Sequence, residues 1–269
     1  ISDDSMKKYS ILFGLFKDSV SQGIVVASQS EEDAQKFISL GAKEERTFVT
    51  GNLKFDIEVN LSSSMDKNIF KSEIINKRFS WTAGSTHERE EKEAIRAHLL
   101  IKEKIPDALL ILAPRKPERF QAVSKILDQS KLSYCKWSEN KDKKIDTDVL
   151  LVDTLGDLLF FYSVGDISFV GGSLFDIGGH NLIEPAAMMK PILTGPKLDN
   201  VHEIADQFRL NQAIIIVSDY KDLSSAILEL SDDKERRNEM TNNAMKVIEN
   251  NKGSKDKILQ LIRPLMNLH

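Results

Sequence analysis

Apolar runs of strand length alternate with longer, charge-faced helical patterns along the whole chain. Residues 24–27, 79–83, 108–112, 149–152, 167–170, 191–194 and 213–217 are short runs rich in Val, Ile, Leu and Phe. Most are continuous rather than alternating, which predicts strands covered on both faces. Between them, 88–104, 117–129, 201–210, 223–230 and 234–250 repeat apolar residues at helical spacing. This alternation predicts an α/β fold with a parallel, doubly wound sheet and right-handed crossovers.

The polar, Ser-rich stretch 56–64 marks a seam in that pattern. Residues 1–60 hold one convincing strand and about two helices, too little to bury a core of their own. They are expected to be the C-terminal remnant of a preceding α/β domain, with its linker. Residues 61–269 supply six expected strands, enough for one complete Rossmann-like domain. The closing helix, at 255–266, is expected to pack back on the first segment. The chain opens at Ile1 rather than Met, which points to a missing upstream segment or a trimmed start.

Composition narrows the classes. With 269 residues, 41% hydrophobic and 29% charged, the chain is globular in character. A net charge of -4 argues against nucleic acid as a partner, yet allows an anionic substrate held by a few local cations. The single cysteine, Cys135, precludes an intramolecular disulfide and a Cys-based metal site, and it implies a reducing compartment. No apolar stretch approaches the roughly 20 residues that span a bilayer.

Open α/β sheets bind ligands beyond the carboxyl ends of their strands, and four such places carry candidate chemistry. At 82–90, Ser85 or Thr86 suits a helix N-cap, with Glu88 or Glu90 placed for a capping box. The same free amides and hydroxyls could take a phosphate. At 113–120, Pro114 and Pro117 fix a turn from which Arg115 projects as a bidentate anion binder. At 153–158, Asp153 or Thr154 could cap a helix, Gly156 permits a close backbone approach, and Leu155 to Asp157 could read a base edge. The strongest signal is at 170–185. There Gly171-Gly172 and Gly178-Gly179 bracket a loop with amides expected to be open to an anion, followed by His180, Asn181 and Glu184 on one helix face. A carboxylate at 184 could accept both hydroxyls of a ribose. The spacing is not the GxGxxG dinucleotide fingerprint, and HExxH is absent.

These residues resemble a known family. TGNLKFD (50–56), AGSTHEREE (83–91), LAPRKPERF (112–120), DTLGDL (153–158), FVGGSLFDIGGHNLIEPAA (169–187) and TGPKLDN (194–200) occur in order. Together they look like the 3-deoxy-D-manno-octulosonic acid (Kdo) transferases, GT-B glycosyltransferases that carry Kdo from CMP-Kdo to a lipid A precursor. The likeness runs from 28–34 to the last helix. It implies that Pro114, Arg115, Leu155, Gly156, Asp157, Asn181, Leu182, Ile183 and Glu184 contact CMP. Lys54, Ser85, Thr86, Gly171, Gly172, Gly179 and His180 would lie near the donor. Lys116 departs from the PRHPER motif of many relatives, and Pro185 stands where some have Ala.

The resemblance further implies lipopolysaccharide biosynthesis at the cytoplasmic face of the bacterial inner membrane, without metal or cofactor. The family's membrane-anchoring start, acceptor groove and Glu general base belong upstream of Ile1, so no catalytic base is assigned. Two alternatives remain open: another GT-B enzyme using a UDP-sugar, and a nucleotide-sugar-binding fragment with no catalysis of its own.

Overall fold

The computed structural model describes residues 24–56, 66–141 and 143–266. The chain divides into two compact units, 1–58 with 248–269, and 59–247. In the smaller unit, β1 (Val26–Ser28), helix α1 (Glu31–Ser39) and β2 (Thr47–Val49) follow in sequence. The two strands pair in parallel, with Val26 opposite Thr47 and Ser28 opposite Val49. Helix α1 begins where the Ser30 side chain accepts the amide of Asp33, and its first turn is acidic, which suits the helix dipole. β2 is an addition to the expected strands; Phe48 and Val49 are exposed, so no buried apolar run announces it.

The closing helix, Ser254–Met266, is tied to residues 51–56 of the same unit. The Asp56 carboxylate accepts the amides of Gly253 and Lys255, each at 2.6 Å. Gly51, at φ +92, comes so near that a Cβ there would stand 2.6 Å from the Ser254 hydroxyl oxygen.

The larger unit begins with α2 (Lys67–Ile69, running on through a π turn at Phe70–Ile74), β3 (Ser80–Thr86) and α3 (Glu90–Lys102). There follow β4 (Leu109–Pro114), α4 (Phe120–Asp128), β5 (Tyr134–Lys136) and β6 (Val149–Leu151). Next come α5 (Leu158–Val164), β7 (Ile167–Val170), α6 (Ile183–Ala187) and β8 (Ile192–Thr194). Then come α7 (His202–Leu210), β9 (Ile214–Ile216) and α8 (Tyr220–Asp232), followed by the long helix Lys234–Asn251, most of which belongs to this unit. All of these strands pair in parallel, in the order β5-β6-β4-β3-β7-β8-β9. The sheet is thus doubly wound, and its strand order reverses between β3 and β7, where a ligand crevice is expected. Seven strands stand where six are expected. The extra one, β5, is a half-buried Tyr-Cys-Lys segment at the sheet edge.

Alternation along each strand serves two cores. Trp81, Ala83, Leu110, Leu112, Ile167 and Phe169 pack with α3, α4 and α8. Leu109, Ile111 and Leu150 pack on the other side with Phe70, Trp137, Phe160 and Phe161. The aromatic rings there meet edge to face, Phe70 and Phe160 at 5.4 Å and 90°.

One buried histidine links fold to pH. His98 is fully buried, accepts the Trp81 indole N–H at Nδ1 (3.1 Å), and sits 3.0 Å through Nε2 from the Asp148 carbonyl. Burial pushes its pKa down to about 3. Because the folded value lies below the unfolded one, its stability contribution is whole above about pH 6.5 and lost on acidification toward pH 3. The expected slope is about 1.4 kcal/mol per pH unit in that window. Urea unfolding of wild type and His98→Gln at pH 7 and pH 5 measures it; the variant should lack that component.

Candidate functional site

Parallel pairing carries the ends of β3, β4, β6 and β7 to one edge of the sheet. Gly84 lies opposite Ala113 on one side and Val170 on the other. This sets Ser85–His87, Pro114-Arg115 and Gly171-Gly172 beside one another. Gly84 is required there, because a Cβ would stand 2.2 Å from the Tyr162 hydroxyl. After it the register shifts, with Ser85 at φ 54, before Thr86 pairs with Pro114. Arg115 is exposed, and its own amide donates to the Thr86 carbonyl at 2.9 Å.

This geometry corrects the capping expectation. Ser85 and Thr86 are strand residues; α3 starts only at Glu90, after Arg89 at φ 74. Ser85 is 8% exposed and Thr86 is fully buried, its hydroxyl without a hydrogen-bond partner among the described residues. In the 153–158 turn, Asp153 and Thr154 likewise do not cap α5. Asp153 accepts the Ser138 amide and hydroxyl, while Thr154 donates to Asp157 at 2.5 Å.

The expectation of open amides in the paired-glycine loop is also corrected. The fully buried Glu90 carboxylate accepts the amides of Gly172 (2.7 Å), Ser173 (2.9 Å) and Leu174 (3.0 Å). It also accepts the His87 amide at 2.9 Å. The Gly171 amide donates to the Gly84 carbonyl and that of Gly179 to the Gly172 carbonyl. The loop is an anion nest, and the protein's own carboxylate fills it. Gly171 and Gly172 therefore shape the crevice wall rather than offering amides to a phosphate.

Beside the filled nest lies a group of polar side chains. The His87 and His180 rings lie end to end and nearly coplanar, their centres 5.0 Å apart and their Nε2 atoms 2.7 Å apart. Asn181 donates to the Glu184 carboxylate at 3.3 Å and accepts the Ile183 amide at 3.1 Å. Burial raises the Glu184 pKa, against the Asn181 hydrogen bond and the positive charge of Arg115. Burial lowers that of His180 to about 4, helped by His87 and Arg115. His87 is lowered too, by burial first; Glu90 opposes the shift, while Lys116, Arg115 and Arg119 reinforce it. The Arg115 backbone stands beside this group, its amide held by the Thr86 carbonyl next to His87, and its positive charge bears on His87, His180 and Glu184 alike.

The other expected residues take varied positions. Pro114 is buried at the end of β4. Leu155 is 69% exposed, and Gly156 at φ 89 turns the chain beside it. Asp157 accepts the Trp137 indole N–H at 3.2 Å and the Thr154 hydroxyl, so its carboxylate braces the turn. Leu182 and Ile183 are fully buried, and their side chains belong to the core. Lys54 is exposed in a short turn of the smaller unit. Among the described residues, no group of three or more His, Cys, Asp or Glu could hold a metal ion. No helix of the described residues is long and apolar enough to cross a membrane.

The sequence pattern does not single out His87 or the loop-bracing role of Glu90. Their partners lie 93 and 82–84 residues away, beyond the reach of any local spacing.

Comparison with known proteins adds to this geometry. Residues 1–57 match the family described as 3-deoxy-D-manno-octulosonic-acid transferase (kdotransferase). The 3-deoxy-D-manno-octulosonic acid transferase of Haemophilus influenzae is 34% identical over 251 residues, 91% of this chain and 58% of that protein. The chain therefore spans a little under three fifths of that relative's length. The crystal structure of the C-terminal CMP-Kdo binding domain of WaaA from Acinetobacter baumannii is 29% identical. It superposes with a TM-score of 0.64 over 67% of this chain and 94% of that one. An Anabaena protein in complex with UDP shares the fold alone, at 15% identity and TM-score 0.58, over 98% of this chain and 68% of its own.

Proposed function

The chain is a homologue of the Kdo transferases, and on that premise we propose that it carries the donor-nucleotide site of such an enzyme. The reaction of the whole protein is then inverting transfer of Kdo from CMP-Kdo to a hydroxyl of a lipid A precursor, at the cytoplasmic face of the inner membrane. The larger unit is the complete nucleotide-sugar domain. The first segment is the tail of a preceding α/β domain that supplies the acceptor groove and the general base.

The observation that carries this reading is the His87–His180 contact at the carboxyl edge of a doubly wound parallel sheet, with the Arg115 amide held next to it by Thr86 and Glu184 four residues beyond His180. Arg115 supplies a fixed positive charge for the phosphate that departs as CMP. Glu184, steadied by Asn181, supplies an acceptor for the ribose hydroxyls. Leu155 and the turn at Gly156 offer an apolar edge to the base. The filled nest shifts the anion-binding role from loop amides to side-chain charge.

The test is a thermal-shift titration with CMP and UDP, since the true ligand stabilises the folded state by mass action. CMP should raise the melting temperature at concentrations where UDP does not. Preference for UDP would replace this reading with that of a UDP-sugar enzyme. Glu184→Gln should weaken CMP by about fivefold, roughly 1 kcal/mol, the scale of one impaired ribose hydrogen bond. Calorimetry checks that value.

A further inference from the structure

We propose that the His87–His180 pair is a proton acceptor coupled to the nucleotide site, taking up one proton when an anionic nucleotide phosphodiester binds in the crevice. The inference rests on the donor-site reading above and adds to it a titrating group that the expected contacts do not include.

The geometry sets the protonation states. Two Nε2 atoms 2.7 Å apart require one N–H facing one lone pair, because two lone pairs or two protons would repel. In the uncharged pair, the ring that donates from Nε2 keeps a basic Nδ1. A proton from solvent that enters there makes an imidazolium whose Nε2–H bond to the other ring is charge-assisted and stronger. A second proton would put two N–H groups face to face and force the rings apart. The pair therefore holds zero or one positive charge while the contact stands.

The surroundings hold both rings in place. Gly172, at φ +70, lies so close that a Cβ there would stand 2.6 Å from His180 Cδ2. The His87 amide is held by Glu90. His87 also lines a cavity of about 390 Å³ with Arg89, Phe175 and Asp176, so solvent reaches that ring of the pair. Of the charged groups around His87, Glu90 favours protonation while Lys116, Arg115 and Arg119 oppose it. Around His180, Arg115 and the other ring oppose it. Burial and this excess of cations keep the empty pair uncharged at neutral pH. A bound phosphate offsets the cations and favours the imidazolium. The site then gains positive charge only when it is occupied.

The experiment is calorimetry of the whole chain with cytidine 5′-monophosphate methyl ester, a phosphodiester with no proton of its own to gain near neutrality. Titrations in two buffers of different ionisation enthalpy report the protons taken up. Wild type should take up roughly half a proton at pH 6.5, and its affinity should fall about fourfold from pH 6 to pH 8. His180→Gln and His87→Gln should each bind more weakly, with no uptake and a flat pH profile. Glu184 could also take up a proton on anion binding, so uptake that survives in both histidine variants overturns the proposal. Binding by wild type with no uptake overturns it as well, while leaving the nucleotide site standing. No binding of the ester or of CMP overturns the nucleotide site, and this proposal with it.

Discussion

Glu90→Ala is expected to lower the unfolding free energy by about 3–5 kcal/mol, the range for removing one partner of a buried, hydrogen-bonded charge network. The carboxylate is fully buried and accepts four backbone amides, those of His87, Gly172, Ser173 and Leu174. Alanine leaves these donors facing a space with no acceptor, and each unsatisfied buried N–H costs about 1–3 kcal/mol before the loop relaxes. Relaxation is limited, because the loop is pinned elsewhere. Gly195 sits where a Cβ would be 2.2 Å from the Ser173 carbonyl oxygen, and the Ser173 hydroxyl accepts the Gly195 amide at 2.8 Å. Against a total stability of about 5–15 kcal/mol, such a loss is large. Urea unfolding measures it, and a change under 1 kcal/mol would show that the nest does not depend on its carboxylate. Glu90→Gln should fall between, since an amide keeps one oxygen acceptor but turns an NH2 group toward backbone donors. Formate added to Glu90→Ala should restore part of the loss by refilling the nest, a response that a plain packing defect would not give.

The contrast between Glu90 and the strands shows what the sequence makes legible. The run 167–170 predicts Ile167–Val170 residue for residue, because a strand covered on both faces reads as a short, mostly apolar run, here Ile167, Phe169 and Val170 with one buried serine, Ser168. The helices α3, α7 and α8 are legible for a related reason, each presenting a repeating apolar stripe to the core. β2 and β5 escape because three-residue edge segments with exposed or half-buried side chains carry no such run. At the site, sequence logic places the chemistry at the strand ends; Arg115 does follow β4 directly, and His180 does reach His87 just past the end of β3. It misreads which groups are free. A glycine-rich loop after a strand looks the same in sequence whether its amides await a phosphate or already hold a carboxylate from a helix more than 80 residues earlier. Glu90 stands at a capping-box position and does accept the amide three residues back, so the local signal is real. Three further amides come to the same carboxylate only through the β3–β7 pairing.

With the Gly171, Gly172, Ser173, Leu174 and Gly179 amides occupied, Arg115 is the cation expected to carry much of the anion's binding, so Arg115→Ala is expected to weaken CMP by about 1.5–3 kcal/mol, roughly ten- to over a hundredfold. The side chain is exposed and free to meet a ligand, yet its backbone is fixed. Pro114 precedes it, Pro117 starts the following turn, and its amide is held by Thr86. A guanidinium on a rigid turn loses little entropy when it binds a phosphate, and its planar fork matches two phosphate oxygens. Arg115→Lys should therefore recover only part of the affinity, because an ammonium keeps the charge but not the fork. Lys116→Ala removes a neighbouring exposed cation and should change affinity far less, while lowering its salt dependence slightly. The same Arg115→Ala substitution removes a cation that opposes protonation of both His180 and His87, so it should raise their pKa values and shift the pH profile of binding upward. Stability should hardly move, since the side chain is exposed at the surface. Calorimetry at fixed ionic strength separates these effects. Unchanged CMP affinity in a stably folded Arg115→Ala protein would mean that the nucleotide phosphate does not lie in this crevice.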